Sequence, residues 1–133
     1  MPYTGTVQNA RTKKAQKFLK SARVLLENGD YDSCISRCYY AVFHASVALL
    51  ETLGVKQEKW EHRFVLAEFN KQFVHRRKMF PSEISETMHT LFRQRREADY
   101  GRDEKPFKKA KRVLDKTSII FHHIYSEFEH EKP

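Results

Sequence analysis

Apolar residues recur at helical spacing in five stretches of this chain. From Ala10 to Glu27, Ala15, Phe18, Leu19, Ala22, Leu25 and Leu26 repeat at three- and four-residue steps, so one helix face is apolar. The other face is basic, with Arg11, Lys13, Lys14, Lys17, Lys20 and Arg23. Asn28-Gly29-Asp30 stops this helix, and Gly29 suits a left-handed C-cap. A second helix is predicted from an N-cap at Asp30 or Asp32 to about Leu53, ending at Gly54. The link is so short that the two helices form an antiparallel hairpin.

The stretch Ser33–Leu50 organises the rest. Only Arg37 interrupts it with a charge. Cys34, Cys38, Ala41, Ala45 and Ala48 make a stripe of small side chains that lets a neighbouring helix approach closely. Ile35, Val42 and Leu49 form a parallel row of large ones. A helix apolar over most of its circumference belongs inside a bundle. It falls short of the roughly 18 apolar residues of a membrane span.

Helix three is predicted over about Trp60–Arg76, with Phe64, Val65, Leu66, Phe69 and Phe73 facing inward. Ser82 is the expected cap of helix four, which runs to about Tyr100 and ends at Gly101. Pro106 fits the first turn of helix five. There Phe107, Ala110, Leu114, Thr117, Phe121, Ile124 and Phe128 form a heptad-like seam, suited to a bundle or to a dimer partner. No stretch alternates like a strand. The expected fold is all-α, an antiparallel bundle of about five helices. Its 133 residues suit one domain, 1–133, with a loose arm over residues 1–9 and a polar tail over 129–133.

The net charge of +8 adds an anionic partner to this picture: RNA, DNA or an acidic protein. Cys34 and Cys38 lie four apart on one helix, badly oriented for a disulfide, and read as a buried reduced pair. They lack further ligands nearby, so no metal site and no cofactor are expected. Met1–Gln8 carries no signal-peptide or lipidation pattern, and a cytoplasmic protein without membrane contact is expected.

Two groups of residues could do chemistry. Arg37, Tyr40 and His44 share one face of helix two. Polar groups on an apolar helix need partners. One reading is a structural network, with Arg37 paired to an acid and His44 bonded to a carbonyl. The other is an acid–base histidine beside a phosphate-binding arginine. The second group is Leu91–Gly101, LFRQRREADYG. Arg93, Arg96 and Tyr100 share a face, and Arg95 and Asp99 can pair across one turn. Asp99 sits where the helix dipole disfavours a carboxylate, so a specific partner is expected. This group reads either as a charged helix end or as an RNA phosphate clamp.

The run RCYYAVFHASVALLETLG, the aromatic-rich middle helix and LFRQRREADYG, in that order, resemble the HEPN domain, most closely its small stand-alone UPF0332 branch. The resemblance covers roughly Ala10 to Phe128. It implies a helical bundle, often dimeric, frequently encoded beside a minimal nucleotidyltransferase in toxin–antitoxin or defence modules. Many members are metal-independent ribonucleases with an Arg-x4–6-His motif, often Arg-x4-His-x-Tyr. Here Arg93 matches the arginine and Tyr100 the final tyrosine, but Ala98 stands at the histidine position. Alanine cannot shuttle a proton, whereas phosphate binding by Arg93, Arg95, Arg96 and Arg37 could persist without it. His44 is the imidazole that helix two could supply instead.

Three functions are open, two from the resemblance and the third from the helix-five seam. The first is a module that binds RNA or a nucleotidyltransferase without cutting. The second is an active ribonuclease using Arg93, Tyr100 and His44. The third is a helical dimer that serves as a scaffold.

Overall fold

A computed structural model of the chain describes residues 10–101 and 103–130. The expected arm at residues 1–9 lies outside these, as do residues 131–133 of the expected tail and the side chain of Phe128. The elements are α1 (Ala10–Glu27), α2 (Tyr31–Thr52), α3 (His62–Phe69), a π-helical continuation (Asn70–Arg76), α4 (Ser82–Tyr100) and α5 (Phe107–His130). No strand occurs among the described residues. The fold is the all-α bundle that the hydrophobic spacing predicts.

Helix α2 is the axle. It packs against α1, α3, α4 and α5. Cys34, Cys38, Ala41, Ala45 and Ala48 are completely buried, as are Ile35, Val47 and Leu50. The small stripe leaves no slack, so a leucine at Ala41 would overpack the helix contact, at a cost of about 1–3 kcal/mol. Cys34 and Cys38 are free thiols. Contact with Cys34 and burial push the Cys38 thiol up, away from ionisation.

Helix α1 buries the single stripe Thr12, Ala15, Leu19 and Ala22 and leaves its basic face in solvent. Gly29, at φ +81°, closes it. The amides of Gly29 and Asp30 donate to the carbonyls of Leu26 and Leu25. Glycine takes this left-handed conformation without the steric cost of a Cβ.

The seam of α5 resolves as a bundle seam. Ala110, Leu114, Thr117, Phe121 and Ile124 are buried, and α5 packs on α2 and α1. The Thr117 hydroxyl donates to its own helix, to the Val113 carbonyl, and the Tyr125 hydroxyl donates across to the Thr12 carbonyl at 3.0 Å. Phe107 departs from the seam. It is 49% exposed, and its ring meets Tyr31 edge-on at 5.8 Å.

Two helix starts differ from expectation, and a third lacks its capping bond. Helix α3 begins at His62, leaving Trp60 in the preceding loop. Helix α4 has Pro81 at its N-cap with no capping side chain, because Ser82 already lies inside the first turn. Asp30 takes the N-cap position of α2, as expected, but its side chain makes no capping hydrogen bond. Glu104 Oε1 instead accepts from the Tyr31 amide at 3.3 Å, and Asp32 Oδ1 accepts from the Lys105 amide at 3.0 Å. The start of α2 is therefore tied to the α4–α5 link by two hydrogen bonds.

The π-helical turn was not foreseen. It widens the helix where Phe69 and Phe73 meet Phe80, with ring centroids 5.2 and 5.5 Å from Phe69. Lys78, at φ 51°, then reverses the chain so that the Met79 and Phe80 amides both donate to the Phe73 carbonyl.

A polar cleft between α2 and α4

The N-terminal half of α2 and the C-terminal turn of α4 face each other across a cavity of about 660 Å³. Arg37 and Tyr40 of α2 line one wall, and Ala98 and Asp99 of α4 line the other. Asp30, Asp32, Ser33 and Ser36 close the end near the α1–α2 turn, and Leu25 contributes from α1. The two charged groups that stand far apart in the sequence thus share a cleft, though only in part. Arg37 and Asp99 both line it; His44, Arg93 and Tyr100 do not.

Arg95 is the best-held side chain beside the cleft. Its guanidinium lies over three rings, 5.3 Å from the centre of Tyr39 and 5.6 Å from those of Tyr40 and Phe92. Its Nη1 pairs with Asp99 Oδ2 at 3.3 Å, one turn along α4. Only 12% of the side chain is exposed. This answers the dipole problem at Asp99: a cation on the same helix offsets the unfavourable carboxylate. Arg95 is enclosed by aromatic faces, whereas the other two arginines of the helix, Arg93 and Arg96, are exposed. Among the described residues neither forms an ion pair. Tyr100 projects into solvent, 78% exposed.

His62 is a neighbour the sequence reading missed. Its Nδ1 lies 2.6 Å from the Tyr39 hydroxyl, and its ring stacks on Phe43 at 4.5 Å and on Tyr39 at 5.4 Å. Burial, then the positive charge of Arg95, lowers its pKa. Burial raises that of Tyr39, so the phenol stays protonated. Tyr39, His62, Phe92 and Arg95 form one packed cluster in which both titrating groups are held neutral beside a fixed cation.

His44 meets α1. Its ring stacks on Phe18 of α1 at 5.4 Å, and its Nδ1 lies 3.2 Å from Arg11 Nη1. Arginine has only donors, so Nδ1 accepts and the ring proton sits on Nε2. Burial, with Lys14, Arg11 and His62 adding to it, pushes its pKa down to about 4. Arg11 also pairs with Glu51 at 3.2 Å. The expected carbonyl partner of His44 is thus replaced by an arginine. Arg37, expected to pair with an acid, lies exposed over the Phe18 ring, 5.3 Å from its centre. Phe18 separates the two because its ring fills the space between them on the α1 side of α2.

Among the described residues no three His, Cys, Asp or Glu side chains cluster closely enough to hold a metal ion. No described helix is long and apolar enough to cross a membrane.

The chain is similar to known proteins along most of its length. It is 36% identical over 89 residues to a UPF0332 protein of Thermotoga maritima, covering 67% of this chain and 65% of that protein. It is 44% identical over 62 residues to UPF0332 protein PH1297 of Pyrococcus horikoshii, covering 47% and 42%. The chain thus spans under two thirds of the length of these two relatives. A longer match, 30% identical over 111 residues and covering 83% of this chain and 80% of the other, is to a Methanocaldococcus jannaschii protein named "Putative toxin MJ0605". The profile of the HEPN domain matches residues 9–127. Its span takes in both walls of the cleft, the aromatic cluster around Arg95 and all five helices, and the chain belongs to the HEPN domain family.

Proposed function

We propose that this chain is the HEPN component of a toxin–antitoxin or related defence pair, with a minimal nucleotidyltransferase as its partner. In this reading it works as a homodimer that binds RNA and does not cut it. The observation that carries the reading is Ala98. It lines the α2–α4 cleft at the position where the cleaving members of the family place histidine. Cleavage of RNA without a metal needs a group to take the ribose 2′ proton or to protonate the leaving oxygen. A methyl group does neither. The binding side of the chemistry is intact: Arg37, Arg93 and Arg96 are exposed cations, and Arg95 is fixed beside the cleft. The toxin name carried by the Methanocaldococcus relative supports the class of system.

The ribonuclease reading assigns phosphate to Arg93, orientation to Tyr100 and proton transfer to His44. It is weakened by the engagement of His44 with Arg11 and Phe18 on the α1 side. The scaffold reading drew on the α5 seam, which is buried against α2 within the chain.

The test is an RNA cleavage assay with and without a chelator, on wild type and Arg93→Ala. Intact RNA in every lane is expected, together with RNA binding by the wild type and a light-scattering mass twice the chain's 15.9 kDa. Chelator-resistant cleavage lost in Arg93→Ala would overturn the non-cleaving reading. Its loss in His44→Ala as well would establish the ribonuclease one.

A further inference from the structure

The cleft between α2 and α4 is an odd place for a polyanion to lie along. Its lining carries three carboxylates, Asp30, Asp32 and Asp99, against one cation, Arg37; Arg95 beside the cleft offsets Asp99, which leaves Asp30 and Asp32 as the excess. The chain as a whole carries +8, so its positive charge is spent elsewhere. A second hollow of about 480 Å³ lies on the other side of Arg37, between α1 and α2. Its lining is Lys17, Lys20, Ser21, Val24, Leu25 and Arg37, with no carboxylate. Leu25 and Arg37 border both hollows.

The groove combines two features. Its rim is cationic. Lys17 and Lys20 are neighbours on one face of α1. Among the described residues neither they nor Arg37 form an ion pair. The ring of Phe18 holds the Arg37 guanidinium in place, so part of its ordering cost is met before any ligand arrives. Its floor is apolar, and Val24 is 47% exposed there. From Lys17 to Val24 the helix runs about 10 Å. A docked amphipathic helix needs a row of three or four apolar anchors, and two aliphatic side chains fall short of that. A duplex would offer the floor only sugar and phosphate. A single strand offers phosphates to the rim and the face of an unstacked base to the floor.

We infer that this α1–α2 groove is the seat of single-stranded RNA. Lys17, Lys20 and Arg37 take its phosphates, and a base lies against Val24. The inference rests on the RNA-binding reading above and locates it. Asp30 and Asp32 at the near end of the cleft hold the phosphates taken by Arg37 on its α1 side, and Arg93 and Arg96 on α4 stay open to other stretches of the RNA.

The experiment is a fluorescence-anisotropy titration of the full chain with a short labelled oligouridine, repeated over a series of salt concentrations. Lys17→Glu/Lys20→Glu should weaken binding at least about tenfold and flatten the slope of log affinity on log salt by about 1.4, from about 0.7 per lost contact on a single strand. Val24→Ser should weaken binding with the slope unchanged. Lys116→Glu, exposed on α5, should leave both within twofold. All three variants alter exposed side chains, and unchanged melting by circular dichroism confirms that they fold. If wild type binds RNA and the groove variants bind equally well, the groove assignment falls and RNA binding stands. If Lys116→Glu loses as much as the groove variants, the site is diffuse and the assignment falls. If polyglutamate competes as well as oligouridine, the groove is a protein-binding surface and the RNA assignment falls. If wild type binds no RNA, both readings fall.

Discussion

The Tyr39 hydroxyl lies 2.6 Å from Nδ1 of His62, joining the centre of α2 to the first residue of α3. Tyr39 is almost wholly buried, so this bond cannot be exchanged freely for one to water. Tyr39→Phe keeps the ring packing and removes only the hydroxyl. It should cost about 1 kcal/mol, the usual net worth of such a bond. Urea unfolding should show a lower midpoint with an unchanged slope. An unaltered midpoint would mean that the bond adds nothing to stability.

The two part-buried imidazoles set an acid limb to stability. Burial is the main cause of the shift at His44, whose folded pKa is about 4, and His62 is shifted the same way. In the unfolded chain both titrate near 6.5. Between about pH 6.5 and pH 4 the unfolded state therefore binds more protons than the folded one. Stability falls as pH is lowered through that window. The contribution is complete above about pH 6.5 and is lost as pH falls through the folded values. Urea midpoints taken at intervals from about pH 7.5 to about pH 4.5 should decline for wild type. His44→Leu should decline less steeply, because one of the two sites is gone. Parallel curves for the two proteins would refute the assignment.

Arg95 and Arg37 both lie over aromatic rings, yet only Arg95 is enclosed. Arg95→Ala removes a side chain packed on three rings and leaves Asp99 without its partner. A loss of about 2 kcal/mol is expected. Arg95→Lys should not restore it, since an ammonium lacks the flat face that lies over the rings. Arg37→Ala, at an exposed site, should stay within about 0.5 kcal/mol of wild type. Thermal melts of the three variants give the ranking directly, and equal losses at Arg95 and Arg37 would contradict it.

Gly101 ends α4 with its amide bonded to the Glu97 carbonyl at 2.7 Å. Its φ of −74° is open to any residue, so conformation does not demand glycine here. Space does. A Cβ would collide with the Glu97 carbonyl oxygen, a backbone atom that cannot swing aside. Gly101→Ala should cost about 1–3 kcal/mol by this overpacking. A melting temperature equal to that of wild type would show that the link relaxes without cost.

Asp32→Ala frees the Lys105 amide, which it holds across 73 residues of sequence. Hydrogen exchange at Lys105 should quicken, and stability should fall by about 1 kcal/mol. Combined with Glu104→Ala, the effects should be non-additive, because both side chains secure the same junction. Strict additivity would argue that the two bonds act independently.

Most of the helices were legible in the chain because burial follows spacing. The bounds of α1 and the axle role of α2 came from periodicity and the small-residue stripe, and these are local properties. The pairing of Arg95 with Asp99 was legible too, being one turn of one helix. What escaped depends on contacts between distant segments. His62 is a single histidine at a helix start, and nothing in its own neighbourhood marks it. Its role comes from α3 laying it against Tyr39 and Phe43. Glu104 as the anchor of the α2 start sits 73 residues from Tyr31, and no cap rule reaches that far. His44 was placed on the correct face of α2, but which helix that face meets is set by the ring of Phe18. The π-helical turn leaves no trace in a three-to-four-residue rhythm.

The two bonds that fasten the α4–α5 link to the first turn of α2 also govern the breadth of the cleft. One wall is the helix that begins at the knot, and the other is the helix that ends beside it. Spreading the walls would mean untying both bonds at once. The slot is therefore held as a fixed gauge rather than a jaw, and its width joins its charge in deciding what can enter.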